Sequence, residues 1–311
     1  MPLDELGFHA CAGSGNGQSA AVSFIVPSYN SSATLPLCLR SIRNQDAAAV
    51  REVIVVDSSD DGKTASIAGA FPEMKFIRLA ERTNPAKARN LGLAEATAAW
   101  CAFVDADVVL SKNWLSTALK ASSGDVAGMC SSVEPYPDTN SLGFCHFLIQ
   151  FSKFLPFGSP RRLPMIPSFA FLLRRSEAGE AGGFPEDFPM LEDFLFSQRL
   201  SKKTGRPFLF CPVMKAFHIN RRDWAVISSQ LRNHGTWSAR ARCLAQLPGT
   251  TLRKFPLAVP LLVPYRLGLI LARTARWNWK SFARALMLLP VMITALALWA
   301  GAFYREMVKR P

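Results

Sequence analysis

The chain has 311 residues, 49% of them apolar, enough for a sizeable core in one large or two modest domains, and it carries a formal charge of +13. That charge is lopsided: residues 199–311 hold 20 Lys and Arg against only Asp223 and Glu306, a net of +18, whereas residues 1–198 hold 16 basic and 21 acidic side chains, a net of −5. The basic half is also the apolar half and lacks a nucleic-acid module or aromatic stacking pattern, so nucleic acid is excluded as a partner and an anionic membrane surface is favoured.

Residues 1–20 are polar and Gly/Ser-rich, with Asp4 and Glu5 and no apolar core, and read as a loose arm rather than a signal peptide. Val22 to Val26 reads as a first buried strand running into Pro27-Ser-Tyr-Asn30, after which Ala33 to Arg43 carries apolar residues at helical spacing. A second strand, Glu52 to Val56, ends in Asp57-Ser-Ser-Asp-Asp-Gly62. A third, Lys75 to Leu79, precedes Lys87-Ala-Arg-Asn-Leu-Gly92 at the start of a helix. Strand, polar turn, helix, repeated in this order, predicts a mostly parallel sheet with its polar loops gathered on one edge. The run Trp100 to Val104 then ends abruptly in Asp105-Ala106-Asp107. A buried parallel strand delivers its last residues to the edge where α/β sheets bind ligands. Two carboxylates there suit a divalent cation, Mg²⁺ or Mn²⁺, carrying a diphosphate; a helix N-cap with a solvated neighbour is the alternative.

These motifs, with Gly182-Gly-Phe184, Leu191-Glu-Asp193, the run Phe194 to Leu200, and His218 downstream, stand in an order and approximate spacing that resembles family 2 glycosyltransferases of the GT-A fold, over roughly residues 20–225. The resemblance implies a Rossmann-like α/β domain over 21–245, with a nucleotide-sugar half (21–110) and an acceptor half (111–245). It implies transfer of a sugar from a nucleoside diphosphate to an acceptor hydroxyl with inversion, and a set of donor-binding residues: Pro27, Tyr29, Asn30, Asp57, Arg89, Asp105 and Ala106. Asp57 would meet the nucleobase, Arg89 would border the nucleotide, Asp105 would face the ribose, and Asp107 would hold the metal with His218 as a further ligand.

Asp193 is the candidate base, because a base must be ionised and within reach of the acceptor hydroxyl, and a carboxylate at a helix start is kept charged by the helix dipole. Plain N-capping is the other reading of Glu192 and Asp193, and a core histidine that of His218. Gly182 and Gly183, grouped with Glu192 on the acceptor side, would let the backbone run close to a substrate. The loop after Asp57 is a residue shorter than the usual form, so no role transfers to Asp60 or Asp61. No Gln-x-x-Arg-Trp follows Leu191-Glu-Asp193; Asn220-Arg-Arg-Asp-Trp224 is the nearest sequence, so a single-addition enzyme is favoured over a processive synthase. Two other classes stay open: a GT-A-like nucleotidyltransferase, which should show a glycine-rich loop in place of Pro27-Ser-Tyr-Asn30, and a non-catalytic adaptor that only binds nucleotide sugar.

The C-terminal segment, 253–311, predicts membrane-associated helices. Ala285 to Tyr304 is 20 residues without a charge, long enough to cross a hydrocarbon core, and Phe255 to Ala272, with three prolines and Arg266, suits an interfacial or re-entrant segment. Between them Arg273, Arg276, Lys280 and Arg284 accompany Trp277 and Trp279, the mixture found at lipid headgroups. This arrangement keeps the catalytic domain on the cytoplasmic face of the inner membrane, beside a lipid-linked or glycan acceptor. The apolar stretches Leu142 to Phe157 and Phe169 to Leu173 read as core, or as the lining of that acceptor's path. Seven scattered cysteines, with no Cys-x-x-Cys pair, argue for reduced thiols and against zinc or a disulfide framework.

Overall fold

In this computed structural model residues 21–309 are described, apart from Ser123 and Pro248. The expected N-terminal arm, Cys11 and the end of the tail at Arg310 lie outside the described residues. Strands β1 (Val22–Ser28), β2 (Val50–Asp57), β3 (Lys75–Arg78) and β4 (Trp100–Val104) pair in parallel in the order β3-β2-β1-β4. Helices α1 (Leu35–Arg43), α2 (Thr64–Ile67) and α3 (Pro85–Glu95) make the crossovers. Both faces of β1, β2 and β4 are covered, which is why these strands read as continuous apolar runs. The α3 crossover packs tightly because Gly92 has no side chain: a Cβ there would lie 2.4 Å from Ile25 Cγ2.

The sheet continues through β5 (Val108–Leu110), β6 (Gly128–Pro135), β7 (Arg161–Leu163), β8 (Ala170–Arg174) and β9 (Phe208–His218), in the order β4-β8-β6-β9-β5 with β7 also on β9. In this half β8 runs antiparallel to both β4 and β6, and β5 antiparallel to β9. Helices α4 (Trp114–Ala121), α5 (Ser141–Phe151), α6 (Arg175–Glu180) and α7 (Glu192–Thr204) connect these strands. The stretch from Leu142 divides in two. Phe144, Phe147 and Leu148 are core, while Ile149, Phe151 and Phe154, with Phe169, face a cleft.

Beyond β9 the chain is helical: α8 (Trp224–Ala245), a 3₁₀ turn at Pro256–Leu261 that continues into α9 (Leu262–Trp277), α10 (Trp279–Met287) and α11 (Leu289–Met307). The breaks fall elsewhere than the charge pattern suggested. Residues 256–277 form one apolar helical stretch that is mostly exposed, whereas the uncharged run 285–304 is cut at Leu288, where α10 and α11 meet at 75°. Pro290 accounts for the cut, since it lacks an N–H and its ring excludes a preceding helical turn, but is well tolerated in the first turn of α11. Asn278 separates α9 from α10 by capping the latter, its side chain accepting from Ser281 N at 3.0 Å. One face of α11, including Met292, Leu296 and Phe303, is buried. It approaches α8 at Gly235, where a Cβ would meet Trp299 O at 2.3 Å. The exposed large apolar side chains gather instead at Phe255, Leu257, Leu261, Tyr265, Trp279 and Met287.

Candidate active site

Register brings the metal candidates together. Val108 of β5 stands opposite His218 of β9, and Ile219 N donates to Asp107 O at 2.8 Å, so a turn after one strand and the end of another, 111 residues apart in sequence, become neighbours. Asp107 Oδ1 lies 3.7 Å from His218 Nε2. Asn220 Nδ2 donates to His218 O at 2.9 Å, which fixes its other amide atom as an oxygen facing His218 Nδ1 at 2.9 Å. A proton on Nδ1 donates to that oxygen, and Nε2 faces Asp107, the orientation a second contact gives a metal-binding histidine. Phe151 covers the ring, centroid to centroid at 4.7 Å. Among the described residues no group of three His, Cys, Asp or Glu forms a closed metal cage. One carboxylate and one imidazole fit a hard cation that takes the rest of its ligands from diphosphate and water.

Behind Asp105 stands a buried arginine. Arg89 of α3 donates from Nη2 to Asp105 Oδ1 at 2.7 Å and from Nη1 to Glu192 Oε1 at 2.6 Å, with the guanidinium and Glu192 almost wholly buried. Burial raises the Asp105 pKa while Arg89 pulls it down. The clamp ties the start of α7 to the end of β4, and so holds Asp193, the next residue, in the same cleft as Asp105, Asp107 and His218. Asp193 Oδ2 accepts from Ser168 N at 2.9 Å and Ser168 Oγ at 3.3 Å, and Oδ1 accepts from Phe194 N at 2.7 Å. Burial first, then the like charge of Glu192, push the Asp193 pKa up to about 7 against the pull of Arg89.

The nucleotide-side candidates lie along the ends of β1 and β2. Pro27 pairs with Val56, and Tyr29 and Asn30 follow β1, with Asn30 at φ +48°. Asp57 is buried and both its oxygens are engaged, Oδ2 by Arg78 Nη1 at 2.8 Å and Oδ1 by Ser59 Oγ at 2.6 Å. The exposed carboxylate at this edge is Asp60, which accepts from Asn30 Nδ2 at 2.7 Å and Tyr29 Oη at 3.2 Å, while Arg82 lies over the Tyr29 ring at 4.5 Å. Asp60, Arg78 and Arg82 were not foreseen; only the density of charge after β2 and β3 hinted at them. Ala106 is buried in the turn between Asp105 and Asp107.

The acceptor-side assignments change most. Gly182 and Gly183 have φ of +77° and +64°, but the close approach that Gly183 permits is to Asn90, whose Oδ1 would lie 2.5 Å from an added Cβ. Asn90 in turn binds the backbone of Phe184 at both N and O. Gly183 thus lets α3 dock on the segment before α7, a Cβ at Gly182 would meet nothing within 4 Å, and neither glycine is among the described residues lining the cleft. Glu192 likewise spends one carboxylate oxygen on Arg89. Ser168, which holds the candidate base, was missed: it belongs to no motif, and only the pairing of Val104 with Ala170 carries it to the site. The cleft itself, of about 690 Å³, runs from Asp105 and Asp107 up to α8, α9 and α11.

The profile described as Glycosyl transferase family 2 matches residues 23–179, just over half of the chain. Among curated proteins, the succinoglycan biosynthesis protein ExoO of Rhizobium meliloti is 34% identical over 28% of this chain and 25% of its own length. The pre-mycofactocin glycosyltransferase of Mycobacterium tuberculosis is 26% identical over 65% of this chain and 44% of its own. The chain therefore spans a quarter to less than half the length of these relatives. Among solved structures, a mannosyltransferase from Pyrobaculum calidifontis in complex with GDP-Man and Mn²⁺ superposes with a TM-score of 0.62 at 20% identity, over 95% of this chain and 89% of the other. S. aureus TarS in complex with UDP-GlcNAc superposes at 0.53 with 17% identity, over 92% and 90%. The fold is GT-A, with its central sheet.

Proposed function

This chain belongs to glycosyl transferase family 2, and from that premise we propose that it moves one sugar at a time from a nucleoside diphosphate to the hydroxyl of a lipid-linked or glycan acceptor, with inversion at the anomeric carbon. The observation that carries the reading is the single cleft shared by Asp107, His218 and Asp193. A metal-binding pair and a carboxylate poised near neutrality are the two functions such a displacement needs, one beside the leaving diphosphate and one beside the incoming hydroxyl.

Asp107 and His218 would hold Mg²⁺ or Mn²⁺, which supplies charge neutralisation for the departing diphosphate. Asp193 takes the proton of the acceptor hydroxyl as that oxygen attacks the anomeric carbon and the bond to the diphosphate breaks. Ser168 and the Phe194 amide orient the carboxylate. Arg89 holds the Asp105 carboxylate in place for the donor, whose base lies along the Tyr29, Asn30 and Asp57 edge. The exposed apolar face of residues 256–277 and the neighbouring Trp279 attach the enzyme to an anionic membrane surface, which we assign to the cytoplasmic face of the inner membrane.

The test is a panel of nucleoside diphosphate sugars with and without Mn²⁺ in detergent, followed by NMR of the product. One donor should be turned over only with metal and yield the opposite anomer. Retention of configuration, or equal turnover in excess chelator, would overturn the mechanism.

A further inference from the structure

One stretch of the cleft lining is cationic, with no acid paired to it among the described residues. Arg266 and Arg273 on α9 and Lys153 after α5 line it together. Arg266 Nη2 reaches Ile149 O at 3.3 Å and its guanidinium covers Trp299 at 4.0 Å, but its Nη1 is buried with no partner. None of the three forms an ion pair with any carboxylate among the described residues. Yet Arg89, Arg78 and Arg240 all do. Three cations held side by side in a partly desolvated wall repel one another, and a buried guanidinium N–H left unmatched costs free energy; an anion in the cleft removes both penalties.

Apolar side chains surround this wall. Leu269, Ile270 and Phe303 line the same space, as does the exposed Tyr265, and Leu257 and Leu261 of the same helical stretch are exposed. With the donor diphosphate assigned to Asp107 and His218, the anion that these cations would take is a second one in the same cleft.

We infer that Lys153, Arg266 and Arg273 bind the phosphate of the acceptor, and that this phosphate is carried on an apolar chain which leaves the cleft along the exposed face of residues 256–277. The inference rests on the acceptor reading above and names its chemical class: a lipid phosphate or diphosphate. Arginine forks match phosphate oxygens, and Tyr265, which lines the cleft and is exposed, joins it to the exposed apolar residues Leu257 and Leu261 of the same helical stretch.

The experiment measures binding and not turnover, so it stands or falls apart from the catalytic assignments. Full-length protein in a neutral detergent is titrated with farnesyl phosphate, farnesol and inorganic phosphate, and separately with the nucleoside diphosphates plus Mn²⁺. Farnesyl phosphate should bind at least tenfold more tightly than farnesol or inorganic phosphate, and R266Q, R273Q and K153Q should each weaken it by about tenfold or more while the nucleoside diphosphate isotherm stays put. The partly exposed Arg273 and Lys153 keep the test sound if R266Q misfolds. Equal affinity for inorganic and farnesyl phosphate would uphold the phosphate site and assign it to a soluble phosphorylated acceptor. Variants that bind farnesyl phosphate like wild type, or that lose the nucleoside diphosphate instead, overturn the proposal.

Discussion

One cleft contains two kinds of arginine. On the sheet side Arg89 is buried between Asp105 and Glu192, both within 2.7 Å, and its charge is spent on the protein itself. On the helix side Arg266 and Arg273 meet no carboxylate among the described residues, and there one Arg266 nitrogen is buried unmatched. The contrast separates charges that hold geometry from charges that await a ligand. A buried ion pair fixes where Asp105 and the start of α7 lie, whereas an unbalanced cationic wall costs stability until an anion enters. The two halves of the chain, −5 and +18 in formal charge, meet along this cleft.

The largest effects belong at the sheet edge. Asp107→Asn removes a charge but little volume at a partly exposed turn, so metal-dependent nucleotide binding and turnover should both disappear while the melting temperature holds. Wild-type turnover in that variant would remove Asp107 from the metal site. Asp193→Asn keeps the shape of the side chain and cannot accept a proton; transfer should fall by at least about 10²-fold with donor affinity nearly unchanged. Loss of donor affinity in its place would assign Asp193 to the nucleotide or to folding.

The difference between the two arginine environments can itself be measured. Arg89→Met strands the buried Glu192 and leaves the partly exposed Asp105 without its partner, and should cost about 3–5 kcal/mol in urea unfolding. Arg273→Gln, which removes a half-exposed cation with no acid partner among the described residues, should stay within about 0.5 kcal/mol of wild type. Similar losses from both substitutions would mean that the contrast between holding and waiting charges is not real.

What the sequence disclosed follows from how local each feature is. The strands β1, β2 and β4, and the acids closing β4, were legible because burial on both faces writes a continuous apolar run and an abrupt polar end. The neighbourhood of Asp107 and His218 was not legible from spacing and entered only through resemblance, because it depends on the register of β5 on β9. The Arg89 to Glu192 pair joins residues 103 apart, and Ser168 reaches Asp193 only through the β4–β8 ladder. The glycine pair was read as room for a substrate, whereas the close neighbour of Gly183 is Asn90, since a glycine reports a backbone need and not what lies opposite. In the C-terminal region charge counting located a single uncharged run, but Pro290 divides it and α8 covers one face of the second piece, leaving residues 256–277 as the exposed apolar helix.

The smallest expected effect is a shift of a pH profile, and it tests the sheet side of the comparison most closely. Burial and the neighbouring Glu192 hold the Asp193 pKa near 7 in the folded chain, above the ordinary value of about 3.9 in an unfolded one. The folded state therefore binds the extra proton between those values. The resulting stability is complete below about pH 4 and is lost as pH rises through about 7. Catalysis runs the other way: the base must be ionised, so kcat/KM should climb through about pH 7. Glu192→Gln removes the like charge and releases Arg89 to act on Asp193, and both changes favour the carboxylate. The rising limb should then move to lower pH, together with the loss of stability. A limb that stays in place in that variant would show that the titrating group is not Asp193, and would leave the Arg89 clamp a purely structural device.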